Sequence, residues 1–183
     1  MPNPNDPPLH SRMRASRRDL SLFAAVMVAL LATPVSADIT ARFIEGAPKD
    51  RFVLENTGAC AEGPLDVTID LAPAPAGLIF DTTSAGAGVE VFQPFEVVAG
   101  ADVLTDAIIP TDGDQAVRLN LTGLAPGARF AFTVDVDDTG TASELGQIRV
   151  SDSEMSGAEL RINGETAVFG TGSVALIEAA CLS

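Results

Sequence analysis

Residues 121–138, LTGLAPGARFAFTVDVDD, carry the clearest strand pattern in the chain. The Ala-Pro-Gly triplet at 125–127 predicts a turn, because proline restricts φ and glycine accepts a positive φ. After this turn, one side of the segment is apolar and the other is mostly polar. The apolar side has Phe130, Phe132, Val134 and Val136, and the other has Arg129, Ala131, Thr133, Asp135 and Asp137. This period of two predicts a strand with one buried and one solvated face, so a second apolar layer must cover the buried face.

Short runs of the same kind recur along the chain, separated by turns rich in glycine and proline, and no long helical period is present. The run at 89–98 is interrupted by Pro94 and predicts either two short strands or one bulged edge strand. The expected fold is all-β: a single antiparallel β-sandwich, Ig-like or jelly-roll-like, of roughly eight to ten strands. The other predicted strands cover residues 39–45, 51–55, 65–71, 78–80, 107–109, 117–121, 148–150, 158–162, 165–169 and 173–177.

Two β-hairpins are expected. The strand at 117–121 leads through residues 123–127 into the strand that follows, which predicts a hairpin. Asn163-Gly164 lies between two strand-like runs, and this pair favours a two-residue type I′ turn.

The N-terminal region predicts export. A short apolar run at 20–32 follows arginines 12, 14, 17 and 18, and Val-Ser-Ala at 35–37 resembles a signal-peptidase site. We therefore expect residues 1–37 to be a signal peptide, with cleavage between Ala37 and Asp38, and residues 38–183 to form the domain. The true start is expected at either Met1 or Met13. Export by the general secretory route and by the twin-arginine route both remain open. The protein is expected to be secreted or periplasmic, without a membrane span in the mature chain.

The expected mature chain is strongly acidic. Residues 38–183 contain 7 basic and 23 acidic side chains, a formal net charge of −16. Such a charge argues against electrostatic binding of nucleic acid or of an anionic membrane. Cys60 and Cys181 are the two cysteines of the chain, and an exported protein with one such pair is expected to form a disulfide.

The residue types present exclude several catalytic arrangements. The one histidine, His10, precedes the cleavage site, and the chain has no tryptophan or tyrosine. Ser-His-Asp and Cys-His nucleophile pairs and histidine-containing metal sites are therefore excluded from the mature chain. Asp138-Thr139-Gly140 matches the triplet of aspartic proteases, but those enzymes need two such carboxylates and no second copy exists. We expect a protein that is not an enzyme, with a carboxylate-based hydrolase as the less favoured alternative.

Calcium is the one cofactor that the composition favours, because it prefers six to eight oxygen ligands. Asp135 and Asp137 project from one face of a strand, and Asp138 ends it. Asp112 and Asp114 flank a glycine turn before the preceding strand. These five residues are candidate calcium ligands. The alternative is that Asp135 and Asp137 lie on a solvated strand face and that Asp112 only forms a turn.

Three segments carry a resemblance to a known family: residues 38–60 (DITARFIEGAPKDRFVLENTGAC), 86–98 (GAGVEVFQPFEVV) and 123–139 (GLAPGARFAFTVDVDDT). The mature chain resembles the small secreted proteobacterial proteins labelled "aggregation factor core", and the third segment also resembles β-sandwich modules of bacterial surface proteins. The resemblance implies a role in cell aggregation, adhesion or extracellular matrix, with a protein or polysaccharide partner at the cell surface. It supplies no functional residues. An exported structural or ligand-binding module is the alternative, and strand addition at an exposed sheet edge is one binding mode.

Overall fold

Eleven β-strands and two short helices make up the computed structural model in the part of the chain that it describes, residues 36–47, 49–89, 91–140, 143–178 and 181. The predicted signal peptide lies almost wholly outside these residues. The cleavage position between Ala37 and Asp38 lies at their beginning and stays a prediction. The strands are β1 (Ile39–Ile44), β2 (Asp50–Asn56), β3 (Leu65–Asp70), β4 (Leu78–Asp81), β5 (Glu96–Ala99), β6 (Leu104–Ile108), β7 (Ala116–Leu121), β8 (Arg129–Asp138), β9 (Glu159–Ile162), β10 (Glu165–Val168) and β11 (Val174–Ile177).

The strands form two antiparallel sheets that pack face to face, so the predicted β-sandwich is confirmed. The first sheet has the order β11-β1-β2-β8-β4, and β5 also pairs with β8. The second has the order β10-β9-β3-β7-β6. A 3₁₀ helix (Ala101–Val103) and the helix α1 (Asp152–Met155) lie between strands. The described strands number eleven, slightly more than the roughly eight to ten expected, and five of them have only four residues.

The core lies between the sheets and is rich in phenylalanine. Phe52 of β2 lies at its centre: its ring centroid is 5.1 Å from that of Phe43, 5.2 Å from Phe132 and 6.4 Å from both Phe80 and Phe169. All five side chains are buried. The predicted inward positions of β8 are confirmed, because its two phenylalanines and two valines all belong to this core. Burial of such rings dominates the stability of the fold.

One predicted hairpin is confirmed and the other is wrong. At Asn163-Gly164, β9 and β10 pair with Ile162 opposite Glu165, and φ is 52° and 94° at the two turn residues, as a type I′ turn requires. Residues 123–127, in contrast, join β7 of the second sheet to β8 of the first. The connection therefore crosses the sandwich: β7 pairs with β3 and β6, and β8 pairs with β2, β4 and β5.

One other strand prediction is wrong. Residues 148–150 form a turn and a coil, not a strand, and a capping box at Ser151 then begins α1. Of the run at 89–98, the described part contains the single strand β5, which pairs only with β8 and has a register shift between Val97 and Ala99, in agreement with the alternative of one bulged edge strand. The predicted strand at 107–109 is found as β6, which begins earlier in the chain.

The disulfide between Cys60 and Cys181 is confirmed. It joins the segment after β2 to the segment after β11, 121 residues further along the chain. The two segments flank β1, since β11 and β2 are its neighbours in the first sheet. The bond therefore links the segments on the two sides of β1 covalently.

Candidate metal centre

Three carboxylates converge where β4 pairs with the second half of β8. Asp81 lies directly opposite Asp135 in the antiparallel register, and Asp137 follows Asp135 by two residues on the same face. One carboxylate oxygen from each of the three lies within 4.8 Å of the other two. We call Asp81, Asp135 and Asp137 the acidic triad. This spacing suits oxygen ligands of one divalent cation, since Ca²⁺ binds its oxygens at about 2.3 to 2.6 Å.

The acidic triad is buried, which corrects the expectation that this face of β8 is solvated. The exposed fraction is 1% for Asp81, 2% for Asp135 and 1% for Asp137. The prediction was wrong because a period of two identifies the two faces of a strand but not whether a loop covers the second one. Here the chain between β4 and β5 lies over it.

The covering loop, residues 82–89, approaches the triad closely. The Val89 amide donates a 2.7 Å hydrogen bond to Asp137 Oδ2. A side chain at Gly88 would overlap the Asp81 carboxyl group, so the loop backbone reaches the triad because position 88 has no Cβ. An open cavity of about 110 Å³ borders Asp81 and is otherwise lined by loop residues that include Thr83, Gly86 and Gly88.

Each acid of the triad keeps one oxygen without a hydrogen-bond partner among the described residues: Asp81 Oδ2, Asp135 Oδ2 and Asp137 Oδ1. None of the ion pairs formed by the described residues includes a triad carboxylate. Buried carboxylates normally have hydrogen-bond or ionic partners, since burying an unpaired charge is costly. The triad therefore offers three carboxylate oxygens to a cation, and no positively charged side chain among the described residues pairs with them.

Burial and like charges raise the pKa values in this region. Burial, with the neighbouring charges of Asp137, Asp50 and Asp81, raises the pKa of Asp135 to about 8. Burial, the charge of Asp137 and a hydrogen bond shared with the Asp137 carboxyl group raise the pKa of Asp81 to about 6, and burial raises the pKa of Asp137. Burial also raises the pKa of nearby Asp50 to about 7, although the Gly46 and Val136 amides donate to its carboxylate. Protons or a cation must therefore compensate the charge of the triad at neutral pH.

The donor set fits a hard cation. The triad supplies carboxylate oxygens only, and Thr83 and Ser84 of the covering loop line the cavity that borders Asp81. Calcium suits such a site, because it accepts oxygen ligands in variable number and geometry. Magnesium requires a stricter octahedron and retains more water.

Asp112 supports this site without joining it. Its carboxylate accepts hydrogen bonds from the backbone amides of Thr82 and Thr83, at 2.7 and 2.8 Å, and from both hydroxyls. The Thr83 hydroxyl in particular lowers the pKa of Asp112 to about 2. The residue therefore fastens the beginning of the covering loop to the turn before β7.

The remaining two predicted ligands lie elsewhere. Asp114 accepts hydrogen bonds from the amide and hydroxyl of Thr111 within its own turn. Asp138 is buried, accepts a hydrogen bond from the Gly140 amide, and borders a different cavity of about 290 Å³ together with Glu154. Both Glu154 oxygens accept backbone amide hydrogen bonds, from Glu144 and from Ser151 at the start of α1, so this carboxylate stabilises local structure.

Sequence reasoning missed Asp81. It follows the apolar run Leu78–Phe80, and no motif or spacing in the sequence marks it as a metal ligand. Its position opposite Asp135 depends on the pairing of two strands more than fifty residues apart in the chain, and this register is not a local property.

No family model, no curated protein and no solved structure matches this chain. The resemblance to aggregation factor core proteins therefore stays a prediction. Among the described residues, none of the helices has both the length and the apolar character needed to cross a bilayer.

Proposed function

We propose that this protein is an exported, non-enzymatic β-sandwich module that binds calcium at Asp81, Asp135 and Asp137 and acts in adhesion or in the extracellular matrix. One observation carries the calcium part: three buried carboxylates have oxygens within 4.8 Å of one another, and each keeps one oxygen without a hydrogen-bond partner among the described residues. The confirmed disulfide supports the export part, because such bonds persist in oxidising compartments.

Calcium binding fits the triad better than hydrolysis does. The cavity that borders Asp81 measures about 110 Å³, whereas pockets for small-molecule substrates usually measure about 300 to 1,000 Å³. A cation needs only the small opening, and it would bring the positive charge that the described surroundings of the triad do not supply. Bound there, calcium would join β4, β8 and the covering loop into one unit.

Isothermal titration of the chelator-treated, purified protein with calcium tests the proposal. We expect binding with one ion per chain, and a magnesium titration should give weaker binding. Alanine in place of Asp81 should abolish the calcium heat, while alanine in place of the exposed Asp102 should not. An absence of heat with the wild-type protein, together with an unchanged melting temperature, would reject the calcium site.

The adhesion role rests on the resemblance and needs a separate test. A strain lacking the gene should clump less than its parent, and the protein should sediment with cells or matrix. Normal clumping of the deletion strain would leave the alternative, an exported structural or ligand-binding module of another kind.

A further inference from the structure

The outer face of the first sheet carries a cluster of arginines. Arg42 of β1, Arg51 of β2 and Arg129 of β8 border one open groove of about 470 Å³. Arg42 lies opposite Val53, and Arg51 is two residues from Val53 on the same strand face. Diagonal neighbours of this kind have Cβ atoms about 7 to 8 Å apart, so their guanidinium groups can reach one ligand.

This clustering contrasts with the charge of the domain, because acidic residues outnumber basic ones by 23 to 7 in residues 38–183. Even so, Arg42 and Arg51 form no ion pair with any residue that the structure describes. Arg129 pairs with Glu55 at 3.0 Å, and 63% of its side chain remains exposed. The groove therefore has a local positive excess.

The groove has an apolar lining between its charges. Val53 and Ala131 form part of it, and Val98, with an exposed fraction of 46%, borders it. The lining residues of the groove include no aromatic side chain. Neutral sugars are usually held by stacking on such rings, so an anionic ligand fits better than a neutral one.

The pairing of the strands under the groove limits how a ligand can bind there. β1 lies between β11 and β2, β2 between β1 and β8, and β8 between β2 and β5, so their backbone groups are already paired. Strand addition could occur only at β5, which borders the groove with Val98 and pairs only with β8 among the described strands. The arginines lie on strands that are already paired on both sides, so they can recognise a ligand only through their side chains, and guanidinium groups bind carboxylates in a planar, bidentate manner.

We infer that this groove binds an acidic polysaccharide through its carboxylate groups, with Arg42 and Arg51 as the main contacts and Arg129 beside them. A polysaccharide presents carboxylates repeatedly along a chain, which matches arginines distributed over three neighbouring strands. The inference rests on the proposed role at the cell surface, where such polymers occur, but it does not require calcium.

Binding of a fluorescently labelled oligogalacturonate to the purified full-length protein tests the inference. The titration is done at low salt with a chelator present, because carboxylated saccharides themselves bind calcium. Without calcium in the sample, the result also does not depend on whether the proposed calcium site exists. The methyl-esterified oligosaccharide serves as the uncharged control ligand. The variants are R42A/R51A and, as a control, R118A, which removes an arginine that is also exposed and without an ion pair among the described residues.

We expect the wild-type protein and R118A to bind the acidic ligand alike and R42A/R51A to bind it roughly tenfold more weakly, with loss of binding at high salt. Three results would overturn the inference: no binding by the wild type, equal binding of the esterified ligand, or equal weakening by R118A. Analytical ultracentrifugation without ligand tests whether a second copy of this chain occupies the groove instead. Self-association that R42A/R51A abolishes would identify the groove as a contact between copies of this chain and would also overturn it.

Discussion

Replacing Asp135 by asparagine should remove the response to calcium without weakening the calcium-free protein. The reason is that burial and its acidic neighbours raise the pKa of Asp135 to about 8, so at pH 7.5 without a cation this carboxyl is mostly protonated. Asparagine has the shape of the protonated acid. Asparagine therefore mimics the protonated Asp135 side chain of the calcium-free protein, but it removes a charged ligand from the site.

The expected magnitude follows from the geometry of the triad. Two unit charges 4.8 Å apart repel by about 3.5 kcal/mol at an effective dielectric constant of about 20, and three such pairs give about 10 kcal/mol. This is comparable with the total stability of a domain, about 5 to 15 kcal/mol, so a fully ionised triad needs a cation. Calcium at about 100 times its Kd adds about 2.7 kcal/mol, which raises the melting temperature by roughly 5 to 10 °C.

Thermal unfolding followed by circular dichroism at pH 7.5, in chelator and in calcium, measures both effects. Asp102→Asn is the matched control, because Asp102 is exposed. We expect calcium to raise the melting temperature of the wild type and of the control, but not of Asp135→Asn. In chelator, the three proteins should agree within about 1 kcal/mol, or the Asp135 variant should be slightly more stable. An equal calcium response in all three, or a large loss of stability of Asp135→Asn in chelator, would refute the reasoning.

Three further predictions follow from the same structure. In chelator, the free energy of unfolding should fall as pH rises from about 5 to about 8. The reason is that the triad carboxyls keep their protons in the folded protein, whereas aspartates of an unfolded chain, with pKa values near 3.9, have released theirs. Calcium should reduce this fall, and urea titrations that show a rise of stability with pH would contradict the prediction. The double variant Cys60→Ser/Cys181→Ser should lose roughly 2 to 5 kcal/mol in the same titrations, because the bond closes a long loop; unchanged stability would show that the bond contributes little. Gly88→Ala should weaken calcium binding by displacing the covering loop from Asp81, whereas Gly170→Ala, with open space around the new Cβ, should bind normally in isothermal titration.

Several features of this protein follow from local sequence alone. The alternation in β8 identified its core-facing side chains, because successive residues of a strand point to opposite faces whatever the strand pairs with. Asn163-Gly164 identified a hairpin, because few residue pairs accept two positive φ values in succession. The pairing of Cys60 with Cys181 needed no structure, since the chain offers no other partner.

The acidic triad, in contrast, depends on contacts between distant segments. Asp135 and Asp137 were recognised as candidate ligands, but their third partner, Asp81, and their burial were not. The reason is that alternation assigns a side chain to one of two faces, while the register of β4 on β8 and the position of residues 82–89 decide what lies against that face. The same limit applies to β7 and β8: a short turn joins them, yet they belong to opposite sheets, and their local sequence does not indicate which strands they pair with. Local patterns thus determine which side chains can meet, and the packing of the two sheets determines which ones do.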